Sequence, residues 1–437
     1  MSAPIVGESL SQSFRRGFAA TFALDIIAKV IAAVTVVILI RGLSVSNYAY
    51  VTLFLTGAQF AGGAAGGGVR TRYLREEAER YSRGARTHQE EAFFLSLLKA
   101  TLLIFAIGIC TLPLAWISGV GSGFAEATGL VTFATVFAAG FSAGELAIAR
   151  YQARRRFGAA GAINVARAAA LLVASIMIVV SREDVVVITA WLVAAVVVVG
   201  TISTAPLFWS GVAMPERSNQ WLDREEIWLS LYYVFAASFA YVDVMVAAVL
   251  LSDEEVATLG ASLRYLAIVS GPIPAIGAVL RVRTAQVDLV ESISAQRTMI
   301  LTWLTRTAFP AGVFILIVLA AAPVVIPQVD GGKYPDSVIV LQIFLVVAFS
   351  AYVTAPAVSI LMTQRRYGLL SGIYSVGFLV NLAGDLAVAP HFGVVGIALV
   401  STAVYVAIDV ILISQALRYG GRPVARGEPT QAGRALP

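Results

Sequence analysis

The sequence is short of charge, cysteine, histidine and lysine, and each shortage removes a class of function. Of 437 residues only 13% are charged, about half the share of a soluble domain; such a chain belongs in lipid rather than water. The single cysteine, Cys110, lies in an apolar run, which excludes a disulfide framework or thiolate metal site made from this chain alone. His88 and His391, the only two histidines, fall in loops without acidic or histidine neighbours at ligand spacing. No metal centre is expected, nor any other cofactor or a nucleic-acid partner. Lysine occurs only at Lys29, Lys99 and Lys333, so the formal net charge of +5 is made almost wholly of arginine.

What the chain has is apolar sequence, 59% of its residues. About 20 apolar residues cross the hydrocarbon layer, and runs of that length recur along the whole chain with short polar breaks. They are expected near Phe18–Ile40, Tyr48–Val69, Ala92–Ile117, Phe124–Ala149, Ala159–Val180, Val185–Phe208, Ile227–Leu251, Val256–Leu280, Ile300–Ile326, Ser337–Met362, Leu369–Ala389 and Gly393–Leu417. The fold class is therefore an all-α polytopic membrane protein with about twelve spans. The first run follows Arg15 and Arg16 but is too long for the core of a cleaved signal peptide, so it is read as a retained helix.

Arginines fall on alternate sides of these spans. One side carries Arg15, Arg16, Arg70, Arg72, Arg75, Arg80, Arg83, Arg86, Arg150, Arg154–Arg156, Arg217, Arg224, Arg281, Arg283, Arg297, Arg365, Arg366 and the tail from Arg418. The other carries little beyond Arg41, Arg182 and Lys333. The positive-inside rule then puts both termini in the cytoplasm of a multi-pass inner-membrane protein. The opposite loops, such as Ser118–Gly123 and Ser252–Glu255, are too short to house a catalytic domain, so a transporter rather than an enzyme is expected.

Two echoes suggest a duplication. Gln152 precedes Arg155-Arg156-Phe157-Gly158 much as Gln364 precedes Arg365-Arg366-Tyr367-Gly368, and Leu43-Ser44 with Tyr48-Ala49 matches Leu251-Ser252 with Val256-Ala257. The expected organisation is a six-helix half over residues 1–210, a second over 221–417, and a disordered cytoplasmic tail over 418–437. Parallel repeats leave a cleft between the halves where cargo can be exposed alternately to each side.

Charges inside spans mark polar interiors, because each costs at least about 2.5–3.5 kcal/mol to insert. Asp25 and Lys29 share a helical face at a spacing that permits pairing. Asp243 and Arg264 lie in adjacent spans and could pair or share one cavity. Arg167, Asp385 and Asp409 complete the set, while Lys99 and Glu145 lie close enough to the cytoplasmic ends to snorkel. Arg264, Lys29 and Arg167 are the candidate cargo-binding cations, since a guanidinium fork suits a phosphate or diphosphate. Asp25 and Asp243 are candidates for tuning those cations or for carrying a coupling ion. The run Gly62-Gly63-Ala64-Ala65-Gly66-Gly67-Gly68 fits no phosphate loop; it allows either close helix packing or a bendable gate.

These motifs together resemble the polysaccharide flippases of the multidrug/oligosaccharidyl-lipid/polysaccharide exporter superfamily, over nearly all of the spans. The likeness rests on Arg41-Gly42-Leu43-Ser44 with Tyr48, on Asp243, on Glu255-Val256-Ala257 leading to Arg264, on Gly332-Lys333-Tyr334, on Asn381, and on Pro390-His391-Phe392-Gly393-Val394-Val395-Gly396-Ile397-Ala398. Ala257 and Leu259 depart from the family's usual glycine and tyrosine. The resemblance implies two six-helix bundles in a V, a cavity lined by the first, second, seventh and eighth helices, and flipping of a polyprenyl-diphosphate-linked oligosaccharide from the cytoplasmic to the periplasmic leaflet for surface polysaccharide synthesis. It also implies membrane lipids, a glycan polymerase and a chain-length regulator as partners. The alternatives are a multidrug/cation antiporter of the same superfamily and, from a different class, a membrane-embedded glycan polymerase or ligase.

Overall fold

The computed structural model describes residues 6–82, 89–117, 124–154, 156–181, 184–208, 224–271, 273 and 293–419. Within them the chain is helical throughout: α1 (Val6–Gly42), α2 (Val45–Ser82), α3 (Gln89–Ile117), α4 (Phe124–Ala153), α5 (Phe157–Val180), α6 (Val185–Phe208), α7 (Arg224–Leu250), α8 (Asp253–Val269), α9 (Ile293–Trp303), α10 (Phe309–Asp330), α11 (Ser337–Thr363) and α12 (Tyr367–Tyr419). A single π turn, Leu304–Ala308, joins α9 to α10, so these two form one rod.

The last helix is two antiparallel arms. Gly393 takes φ 56° and ψ −147°, a conformation that only glycine adopts readily, and the chain doubles back there. Gly377 faces Ile408, Gly384 faces Val400 and Gly396 faces Val388, each so closely that a Cβ on the glycine would lie within 2.6 Å of the opposing side chain. The Pro390–Ala398 motif is thus the hairpin between the two expected final spans. With α9–α10 as one rod and α12 as two, the described helices correspond one for one to the expected runs.

Eight of the described helical stretches are long and apolar enough to cross a membrane, and the two segments of α7 make a ninth. The difference from the sequence expectation has three physical sources. The two arms of α12 meet directly at Gly393 and so count as one stretch. α2 carries its glycine run and a string of charges, and α8 is described for only 17 residues.

The neighbour pattern of the first six helices recurs in the rest. α1 packs on α5, α2 on α4, and α4 on α3 and α6; correspondingly α7 packs on α12, α8 on α11, and α11 on α10 and α12. Both echoing motifs fall at equivalent junctions. Arg156 and Arg366 immediately precede α5 and α12, while the tight turns 43–44 and 251–252 join α1 to α2 and α7 to α8. The 210/221 boundary, the tail beyond Tyr419, the Ser118–Gly123 loop, the end of the eighth expected span, and His88, Arg83, Arg86, Arg155, Arg182, Arg217, Arg281 and Arg283 lie outside the described residues.

Candidate functional site

The seam between the two sets of helices is made chiefly by α2 against α7 and α8, with α1 touching α8 and α10. Small residues let α2 approach both partners. The run 62–68 is helical and faces two ways: Gly62 and Gly66 pack on Ala138 and Ser142 of α4, whereas Gly63, Gly67 and Gly68 pack on Ala237, Tyr233 and Ser230 of α7. Towards the other end, Gly260 of α8 packs on Thr52.

Both ends of the seam are pinned. At the arginine-rich end, Arg72 of α2 and Lys99 of α3 reach the buried Glu226 of α7 at 2.6 and 3.3 Å. Arg75 reaches one oxygen of Glu225, with Arg365 on the other at 3.4 Å. Thr71 and Tyr233 share a hydrogen bond of 2.8 Å. At the opposite end, Lys333 donates to the carbonyls of Ile40, Arg41 and Leu43, and Arg41 donates to those of Gln328 and Val329. Ser46 donates to Asp253 at 2.7 Å, and Tyr334 lies against Tyr48 with ring centroids 5.7 Å apart. Burial and the neighbouring Asp330 push the Tyr334 phenol up to about 12, so it stays neutral in this contact. The segments Arg41–Tyr48 and Gly332–Tyr334, remote in sequence, therefore meet as one clasp.

The candidate cations separate into two places. Arg264 lies half-buried on α8, within electrostatic reach of Tyr48 of α2 and Tyr241 of α7. No carboxylate pairs with it among the described residues, and Asp243 is turned elsewhere. Lys29 does not pair with Asp25 despite the favourable spacing. Its stem instead lies against Gly271 just beyond α8, where a Cβ would come within 3.2 Å of its Cδ and Cε. Arg264 and Lys29 thus both lie where α8 faces the first set of helices.

Arg167 is not with them. It donates to Glu145 at 2.7 Å and to Asn164 at 3.0 Å, and its guanidinium lies 4.5 Å from the centroid of the Phe141 ring. Glu145 also binds Arg70, so it bridges two arginines rather than snorkelling to the surface. A helix surface pattern could not reveal this, because the three residues come from α2, α4 and α5.

Asp243 belongs to a different cluster. Asn381 of α12 donates to Asp243 at 2.8 Å and to Asp385 at 3.1 Å, and the Ser401 hydroxyl of the second arm lies beside Asp243. All four are at most 1% exposed. Asn381 Oδ1 has no hydrogen-bond partner and no cation balances the two carboxylates among the described residues. Two adjacent buried anions are too costly to leave uncompensated; the oxygen-rich cluster can take a proton or a small hard cation. Asp385 and Asn381 were visible in the sequence, but Ser401 joins them only because the hairpin at Gly393 folds it back. Asp409 lies beside Ser350 and Thr354 of α11, as helix-to-helix glue.

No family model and no curated protein matches this chain. Solved structures do. A MATE multidrug transporter, DinF-BH, solved as a ligand complex, superposes with a TM-score of 0.68 at 14% identity, over 95% of this chain and 97% of that one. The chain has the MATE fold. An inward-facing multidrug resistance MATE transporter of the MOP superfamily matches with a TM-score of 0.63 at 15% identity, over 92% and 98% of the two chains. A MATE in complex with MaL6 gives 0.64 at 16% identity, over 92% and 96%. A chain with this MATE fold and this series of apolar helices is a multi-pass membrane protein.

Proposed function

We propose that this MATE-fold chain is a transporter of the bacterial inner membrane that carries a polyprenyl-diphosphate-linked glycan from the cytoplasmic to the periplasmic leaflet by alternating access. The observation that carries the proposal is Arg264: a guanidinium on the seam between two sets of helices, within electrostatic reach of two tyrosines and paired with no described carboxylate. A charge left uncompensated within a membrane bundle is expensive and marks a ligand path. Its planar fork matches the oxygens of a diphosphate, and Lys29 of α1 supplies a second positive charge just beyond the end of α8. The positive-inside rule assigns the arginine-rich end to the cytoplasm, so the Lys333–Arg41 clasp faces the periplasm. In this scheme, opening to either side requires breaking one set of pins while the other holds. The sugar occupies the water-filled interior and the prenyl tail stays in lipid beside the seam.

Asp243 and Asp385, with Asn381 and Ser401, hold the coupling cation or proton in this scheme. A filled cluster draws α7 and both arms of α12 together, which couples ion occupancy to the position of the helix carrying Glu225 and Glu226. Glycan polymerase and chain-length regulator act on the delivered product.

A second reading, a multidrug antiporter, is favoured by the multidrug transporters among the fold neighbours and by the buried acid pair, which would suit exchange against a cationic drug. The two separate in a deletion strain. Loss of surface glycan with lipid-linked precursor accumulating, and unchanged susceptibility to cationic drugs, supports the flippase; normal glycan with raised susceptibility supports the antiporter.

A further inference from the structure

We propose that Glu145 is an internal stand-in for the cargo's phosphate, holding Arg70 and Arg167 as a first, displaceable anion site nearer the cytoplasmic end of the seam. The proposal rests on the diphosphate-cargo reading and adds a second station to it. The carboxylate gives one oxygen to each guanidinium, Oε2 to Arg70 and Oε1 to Arg167. That is the two-pronged contact a phosphate would make, and it leaves the trio with a net positive charge. The rest of the Arg167 guanidinium is already fixed by Asn164 and the Phe141 ring, so the donor geometry survives if Glu145 leaves.

The trio is also reachable. The side chains of Arg70, Arg167 and Glu145 are 37%, 17% and 18% exposed, and Arg70 lies beside Tyr233 of α7, on the seam itself. Thr52, which packs against α8 one turn from Arg264, lies about 27 Å away along α2 at 1.5 Å per residue. An anion entering from the arginine-rich end reaches Arg70 and Arg167 before Arg264.

A carboxylate tethered beside two arginines competes with any incoming anion. A dianionic diphosphate wins because it satisfies both guanidiniums with more charge. When the head group moves on towards Arg264, Glu145 closes over the arginines again and opposes its return. The residue therefore lowers affinity at the first station and speeds departure from it.

The test uses the full-length protein in phosphatidylcholine nanodiscs, titrated calorimetrically with inorganic pyrophosphate, beside transport of lipid-linked glycan in vesicles. Glu145→Gln is expected to bind pyrophosphate at least ten-fold tighter yet transport more slowly. The gain should vanish in Glu145→Gln/Arg167→Gln, which rules out binding to other surface arginines. Affinity no tighter than wild type, faster transport, or a gain that persists in the double variant overturns the proposal. If Glu145→Gln does not fold, Glu145→Asp, too short to span both arginines, should show the same tightening in smaller degree, and unchanged affinity there overturns it equally. Wild-type protein that moves no glycan sinks the cargo assignment; wild-type transport with no change in Glu145→Gln sinks only this inference.

Discussion

Lys333 and Arg41 cap each other's helices across the seam: the Lys333 ammonium lies 2.8 Å from the Arg41 carbonyl, while the Arg41 Nε donates at 2.8 Å to the Val329 carbonyl. Each cation thus satisfies orphan carbonyls at a helix C-terminus of the opposite set, where the helix dipole also favours positive charge. No carboxylate takes part in this mutual cap. It differs in kind from the other end, which is held by Glu225 and Glu226.

Lys333→Met removes three donated bonds from this clasp at little change in bulk. Charge-assisted bonds at a partly exposed helix end contribute about 1–2 kcal/mol together, so the population open at this end should rise about ten-fold. Distances between spin labels on the α1–α2 and α10–α11 connections read the shift. An unchanged distribution would deny Lys333 a gating role.

Gly68→Ala should disfavour closure at the arginine-rich end. The new Cβ would lie 2.8 Å from the Ser230 Cα and 3.0 Å from its backbone nitrogen, and backbone cannot step aside as a side chain can. Overpacking of this kind costs about 1–3 kcal/mol, which predicts a shift towards the cytoplasm-open form and slower transport. Gly144→Ala, with nothing within 4 Å of its added Cβ, is the control and should transport normally. Cysteine accessibility on the α2–α7 contact distinguishes the two.

Glu226→Gln should be costlier than Glu225→Gln. Glu226 is 1% exposed and serves both Arg72 and Lys99, so neutralising it weakens two contacts at once, although Arg72 keeps Glu76 at 2.7 Å. Breaking a buried pair costs about 3–5 kcal/mol, whereas the more exposed Glu225 site is partly screened. Thermal unfolding in detergent should show the larger fall in midpoint for Glu226→Gln; equal falls would mean that the two pins are equivalent.

Asp385→Asn should abolish ion dependence without unfolding the protein, because the amide keeps the shape and relieves the charge beside Asp243. In wild type, adding the coupling cation or lowering pH should raise the thermal midpoint and change the transport rate. Both responses should be flat in the variant. A retained response would place the coupling site elsewhere.

The spans were legible because lipid demands long apolar runs, and the final hairpin because Gly393 must take a positive φ where α12 turns back. Contacts between remote segments were less so. The sequence motifs around Arg41 and Lys333 carried the resemblance, yet nothing in either segment says that they touch. Asp243 looked like a partner for Arg264 because their helices are adjacent in sequence, but helix rotation turns it towards Asn381 instead. Arg167 looked free because its partner, Glu145, lies on α4 and was read as a surface carboxylate. Pairing across helices depends on rotation and depth, which a one-dimensional pattern does not encode. Arg264 was read from its depth in the span, and no carboxylate pairs with it among the described residues.

The decisive comparison is the flipping of a fluorescent polyprenyl-diphosphate-linked oligosaccharide in vesicles reconstituted with wild type, Arg264→Ala or Arg264→Lys. Arg264→Ala should lose at least 100-fold in initial rate while inserting and melting like wild type, and Arg264→Lys should recover part of it, since an ammonium keeps the charge but not the fork. Wild-type rates from Arg264→Ala would contradict a diphosphate held by this arginine.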